Sequence, residues 1–167
     1  KNATGPLAER MIAALEAAQS VGGDIRGMQS ASIMVFKGVS TGKPWTDKLI
    51  DLRVEDNPDP VGELKRLLKV QRAYDHMNAG DLATEKGDMK LAMEEYNAAM
   101  QMYPDNLEMK FWTAVTLANV GRVDESLPLF REVFDKGKNW LELTPRLPKS
   151  ELLNVSKEDL ERILNVK

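Results

Sequence analysis

Hydrophobic positions change their spacing several times along the chain. From Gly5 to Ser20 they recur at helical period, with Leu7, Met11, Ile12, Leu15 and Ala18 on one stripe, Pro6 in the first turn and Gly22 and Gly23 as the stop. Ser32-Ile33-Met34-Val35-Phe36 then reads as a largely buried strand, and Lys48 to Val54 as a second strand. Between them lies a loop holding Gly38, Gly42, Pro44 and Trp45. The visible sheet is one hairpin, and an isolated hairpin is marginal in water. The NPDP run at 57–60 blocks the second strand, and Asp59-Pro60 caps a new helix with Val61, Leu64, Leu67, Leu68 and, at its margin, Val70 on the apolar face.

From residue 73 the chain repeats with a period of 34: Gly80 aligns with Ala114, Ala83 with Leu117, Gly87 with Gly121, Ala92 with Ser126, Tyr96 with Phe130 and Ala99 with Val133. These are the tetratricopeptide positions, where small residues let the two helices of a repeat approach, a glycine turns the chain and an aromatic fills the gap to the next repeat. Pro104 stands where that pattern has its proline. The departures are His76 near the start of repeat one, Ser126 in place of alanine, and Pro128 in the first turns of the last repeat helix. Two repeats are fewer than a stacked array needs, so both ends must be capped. The helix over 60–72 is expected to cap one end. At the other, KNWLELTPRLPKSELL (138–153) reads as an irregular segment over apolar surface, followed by a capping-box-like Ser156 and Asp159 and a last helix with Leu160, Ile163 and Leu164.

The stretch GPLAERMIAALEAAQSVGGDIRGMQSASIMVF, followed by DLRVEDNPDPVGELKRLL, resembles the C-terminal part of a microbial family catalogued as domain of unknown function 1028. The resemblance covers residues 5–70. It implies an N-terminal-nucleophile hydrolase fold, two sheets between layers of helices, whose front half and nucleophile are not in this chain. Such enzymes use the first residue of the mature chain, a Thr, Ser or Cys, with its α-amino group as base. Lys1 cannot serve, and the numbering is expected to start inside a longer gene product. The expected class is therefore α+β: a partial hydrolase-like sheet and helix segment over 1–70, an all-α repeat pair over 71–140, and an irregular segment with a capping helix over 141–167.

Charge and composition narrow the partners. Residues 73–135 carry a balance of −7 and residues 1–72 a balance of +2. The acidic half disfavours nucleic acid and suits a basic or apolar partner segment, although helical surfaces are commonly charged simply to stay solvated. No apolar run approaches the length of a membrane span and no signal peptide opens the chain, which points to the cytoplasm. Cysteine is absent and His76 is the single histidine, so disulfides, thiol nucleophiles and His-pair metal motifs are excluded, and neither metal nor cofactor is expected.

Two groups of residues carry functional expectations. Asp24, Arg26, Gln29 and Ser30 stand in seven positions before the first strand. They read either as one wall of a catalytic site, with Gln29 or Ser30 presenting a donor to a substrate oxygen, or as a tight turn satisfying its own backbone. Asp51, Arg53, Glu55 and Asp56 read as edge-guarding strand charges. The repeat geometry points Tyr74, Met77, Asp81 and Thr84, and then Glu108, Phe111, Val115 and Asn119, towards an inner groove. They would hold a peptide or protein partner there, or pack against the hydrolase-like part or a second copy. The functional expectation is a catalytically incomplete part of an amide hydrolase with a helical-repeat accessory module, needing the upstream part of the same protein. The alternative is a non-enzymatic interaction or dimerisation module.

Overall fold

A computed structural model describes residues 4–21 and 29–166. They fall into two compact units, Lys1–Arg72 and Ala73–Lys167.

The N-terminal unit is mixed α and β. Helix α1 (Thr4–Ser20) precedes strand β1 (Ala31–Phe36), a single-turn helix α2 (Pro44–Asp47), strand β2 (Lys48–Val54) and the first turns of the long helix α3 (Pro60–Glu85). The strands pair antiparallel, with Ile33 opposite Leu52 and Val35 opposite Ile50, and the register slips between Val35 and Phe36. One sheet face is apolar and covered: Ile33, Val35, Ile50 and Val54 pack with Ala8 and Ile12 of α1 and with Val61, Leu64 and Leu68 of α3. Burying each of the larger of these side chains stabilises the unit by about 1.5–3 kcal/mol.

Three expectations change here. The strand is not largely buried, because Ser32, Met34 and Phe36 alternate onto an exposed face. The α1 stripe runs through Ala8, Met11, Ile12 and Leu15, while Leu7 and Ala18 are exposed. The turn between the strands is built rather than loose, since it contains α2 and closes on the buried Asp47. That carboxylate accepts the Thr41 amide at 2.8 Å, the Thr41 hydroxyl at 2.6 Å and the Ser40 hydroxyl at 3.2 Å. At the start of α3 the expected cap is present, with Asp59 Oδ1 accepting the Gly62 amide at 3.0 Å.

The C-terminal unit is helical: the rest of α3, then α4 (Met89–Met102), α5 (Leu107–Asn119) and α6 (Val123–Lys136). Helices α4 and α6 start and end 34 residues apart, as do the ends of α3 and α5, so the sequence period is a structural period. Both hairpins turn on a left-handed glycine, Gly87 at φ 75° and Gly121 at φ 80°, a conformation that costs other residues energy. Asp88 and Asn106 cap α4 and α5 through the Leu91 and Met109 amides, each at 3.1 Å.

Apart from the turn glycines Gly87 and Gly121, which are exposed, the aligned positions are core in both hairpins. Ala83, Ala92, Tyr96 and Ala99 are buried in the first, and Ala114, Leu117, Ser126, Phe130 and Val133 in the second. Ser126 fits an alanine position because its hydroxyl donates to the Val123 carbonyl at 2.7 Å. Pro128 lies inside α6 without ending it.

The end of the chain corrects the irregular segment. Residues 138–150 form α7 (Lys138–Leu143) and a 3-10 helix (Thr144–Ser150), followed by a turn at 151–152 and a run without regular structure over 153–156 that leads into α8 (Lys157–Leu164). Pro145 lies in the first turn of the 3-10 helix, where a missing N–H costs nothing. The apolar role is as expected: Leu147, Leu153 and Ile163 are buried with Phe111, Val115 and Phe130. Ser156 caps α8 through the Asp159 amide at 3.0 Å. The Asp159 carboxylate accepts a hydrogen bond from the Ser156 hydroxyl at 2.8 Å, a tighter local loop than the reciprocal capping box.

Candidate functional site

In the N-terminal unit an open cleft of about 730 Å³ lies where β1 begins and β2 ends, lined by Gln29, Ser30, Ala31, Ser32, Met34, Leu15 and residues 53–56. The two chain runs are tied by the Asn57 amide, which donates to the Gln29 carbonyl at 3.0 Å. Asp56 takes a left-handed conformation at φ 51°, turning the chain at the cleft rim. The register sets Ser32 opposite Arg53 and Met34 opposite Asp51 on the exposed sheet face. Asp51 accepts from Lys48 Nζ at 2.5 Å and from Arg53 Nε at 3.0 Å. These bonds, Lys48 first, hold its carboxyl below the usual carboxylate range.

The cleft thus brings together hydroxyls, a carboxamide, a guanidinium and two carboxylates, a set that suits hydrogen bonding to a polar substrate. Of the four predicted wall residues, Gln29 and Ser30 line it, whereas Asp24 and Arg26 lie outside the described residues. The strand charges Arg53, Glu55 and Asp56, expected to guard an edge, line the same cleft. Among the described residues no group of three or more His, Asp or Glu is placed to hold a metal ion.

The predicted groove residues separate into two sets. In the first hairpin Tyr74 is half-exposed and donates to Glu108 Oε2 at 3.0 Å. Burial first, and then Glu108, push its hydroxyl pKa up. Asp81 and Thr84 hold the hydroxyl of the buried Tyr96, which donates to Asp81 Oδ1 at 2.7 Å and shares a 3.2 Å bond with Thr84 Oγ1. Burial pushes the Tyr96 pKa up to about 12. Met77 is buried.

In the second hairpin Phe111 and Val115 are not at a surface. They are buried in the unit's own core, with the Phe111 ring 4.7 Å from Trp140 and 5.9 Å from Phe130 between centroids. Phe111 therefore presents no anchor to an incoming partner. Asn119 is engaged by the chain's own residues 152–154. Sequence reasoning placed residues 138–153 over apolar surface but not over Phe111 and Val115, and it read them as irregular because Pro145 and Pro148 mask the helical character of 138–150.

Residues 1–64 match the model of a family of unknown function, DUF1028. The match takes in α1, the hairpin and the first turn of α3, hence the whole lining of the cleft, and stops before the C-terminal unit. It agrees in place with the resemblance expected over 5–70. No curated protein and no solved structure matches the chain. No helix among the described residues is long and apolar enough to cross a membrane.

Proposed function

We propose that the N-terminal unit is the C-terminal part of an amide hydrolase domain of N-terminal-nucleophile type, catalytically incomplete by itself and acting in the cytoplasm. The observation that carries this reading is the hairpin within the DUF1028 match. Its one face is packed by α1 and α3, while the other presents Met34, Phe36 and Leu49 to solvent. Two strands whose outer face exposes Met34, Phe36 and Leu49 beside the charged Asp51 and Arg53 leave a layer uncovered, and the upstream part of the same protein is the occupant this reading requires. The nucleophile and its base belong to that part. The cleft supplies the other wall, with Gln29 and Ser30 as donors to a substrate oxygen and Arg53 orienting a polar substrate. The test is amide hydrolysis by the full-length protein. Gln29→Ala and Arg53→Ala should lower kcat/KM by roughly tenfold or more. Unchanged rates remove the cleft from the site, and full-length protein inert towards amides removes the hydrolase reading.

For the C-terminal unit the 34-residue structural period favours a second reading, an interaction or dimerisation module of two tetratricopeptide-like repeats. Of the aromatic and apolar groove residues, Tyr74 is exposed whereas Met77, Phe111 and Val115 are buried. Loss of a co-purifying protein or of self-association in Tyr74→Ala, at unchanged stability, supports that module. Retention of both speaks against Tyr74 as a contact.

A further inference from the structure

The two hairpins carry different chemistry at equivalent positions of one helix face. Where the first has Met77, Asp81 and Glu85, the second has Phe111, Val115 and Asn119. Asp81 is exposed, whereas Phe111 and Val115 are buried against Leu147 and Leu153 from the end of the chain. Apolar residues stand on this face where it is covered, and charged ones where Asp81 meets solvent.

The cover is held in a specific way. Asn119 Nδ2 donates to the Leu152 carbonyl at 3.0 Å, and Asn119 Oδ1 accepts the Asn154 amide at 2.7 Å. A carbonyl and the N–H two residues later lie along one edge of an extended segment. A carboxamide donates and accepts at once, so one side chain holds that edge without reference to the segment's sequence. The selectivity sits between the two bonds, in Leu153, which is buried in the same core cluster. Glu151, left-handed at φ 58°, turns the chain out of the 3-10 helix into this run. Main-chain bonds for affinity and a pocket for an alternate side chain are the two parts of extended-peptide recognition.

We propose that this face of the second hairpin is a peptide-recognition site closed in cis. Residues 152–155 are its ligand, Asn119 is the backbone clamp, and the leucine pocket beside Phe111 and Val115 sets the class: a segment with one buried leucine between two clamped backbone groups. The same segment from a second copy of the chain enters only when the first is displaced. This rests on no activity assigned to the N-terminal unit.

The test uses the full chain and a fluorescent synthetic peptide, KSELLNVS, copying residues 149–156. Wild type should not bind it. Leu153→Ala, which weakens the internal ligand and leaves the receptor face intact, should bind it, and adding Asn119→Ala should weaken that binding roughly tenfold, as expected for two net hydrogen bonds. Binding to wild type as tight as to Leu153→Ala overturns the closure. A folded Leu153→Ala that ignores the peptide overturns the recognition site. Should Leu153→Ala not fold, Asn119→Ala decides by hydrogen exchange. The Asn154 amide, which Asn119 holds, should exchange roughly tenfold faster than in wild type, and unchanged protection overturns the clamp.

Discussion

Adding one methyl group at Gly80 tests the packing of the first hairpin. A Cβ built there meets the Tyr96 ring at 2.4 Å from Cε1, 2.5 Å from Cδ1 and 2.9 Å from Cζ. Carbon atoms settle at about 3.5–4.0 Å, so the ring must retreat by more than an ångström. It has nowhere to go: Tyr96 is fully buried, and its hydroxyl is held by Asp81 and Thr84. Overpacking costs about 1–3 kcal/mol, and a disturbed hydroxyl network adds about 1 kcal/mol. Alanine in mid-helix returns about 1 kcal/mol. Gly80→Ala should therefore destabilise the C-terminal unit by about 2 kcal/mol net, a drop in Tm on the order of 10 °C for a unit of this size. Urea denaturation followed by circular dichroism measures it, with Tyr96→Leu as the second arm. In that smaller background the clash disappears, so the cost of Gly80→Ala should vanish or reverse. A Gly80→Ala protein as stable as wild type, or an equal cost in both backgrounds, refutes the close approach.

Further predictions concern titration and the core. Because the folded Tyr96 pKa is raised from 10.0 to about 12, its neutral form is favoured on folding. Stability should hold below pH 10 and fall between pH 10 and about 12, and Tyr96→Phe should flatten that decline in a denaturation series. Asp47 has the opposite sign. Hydrogen bonds, chiefly from Thr41, lower its pKa from 3.8, so its contribution is present above that value and is lost as acid takes pH below it. The Thr41 amide should lose protection from hydrogen exchange in acid, and Asp47→Asn should show that loss already at neutral pH. Leu64→Ala, which empties a fully buried site between α3 and the sheet, should cost about 2–5 kcal/mol in thermal unfolding of the N-terminal unit.

Much of the architecture was legible because local signals agree with packing. Asp59-Pro60 marks the start of α3, and Gly87 and Gly121 mark the two helical turns, each for a stated backbone reason. The 34-residue spacing was legible because the aligned side chains are buried at matching places in the two helical hairpins. Other features depend on contacts that no window of sequence contains. Met34 and Phe36 are as apolar as Ile33 and Val35, so only the register separates the buried face from the exposed one. Phe111 and Val115 belong to the groove side by position, yet residues more than thirty places later cover them. Pro145 and Pro148 signal interruption to a reader expecting α-helix, whereas a 3-10 turn accepts them. In the candidate cleft, Gln29 and Ser30 were legible from their place before β1. Arg53, Glu55 and Asp56 were not, since only the hairpin pairing brings them to the same end.

The central claim is that the N-terminal unit completes a larger hydrolase domain. Intact-mass spectrometry with N-terminal sequencing of the protein purified from its source tests it most directly. The proposal predicts an upstream polypeptide, co-purifying with this chain or continuous with it, whose mature terminus is Thr, Ser or Cys. An upstream polypeptide whose mature terminus is any other residue contradicts it.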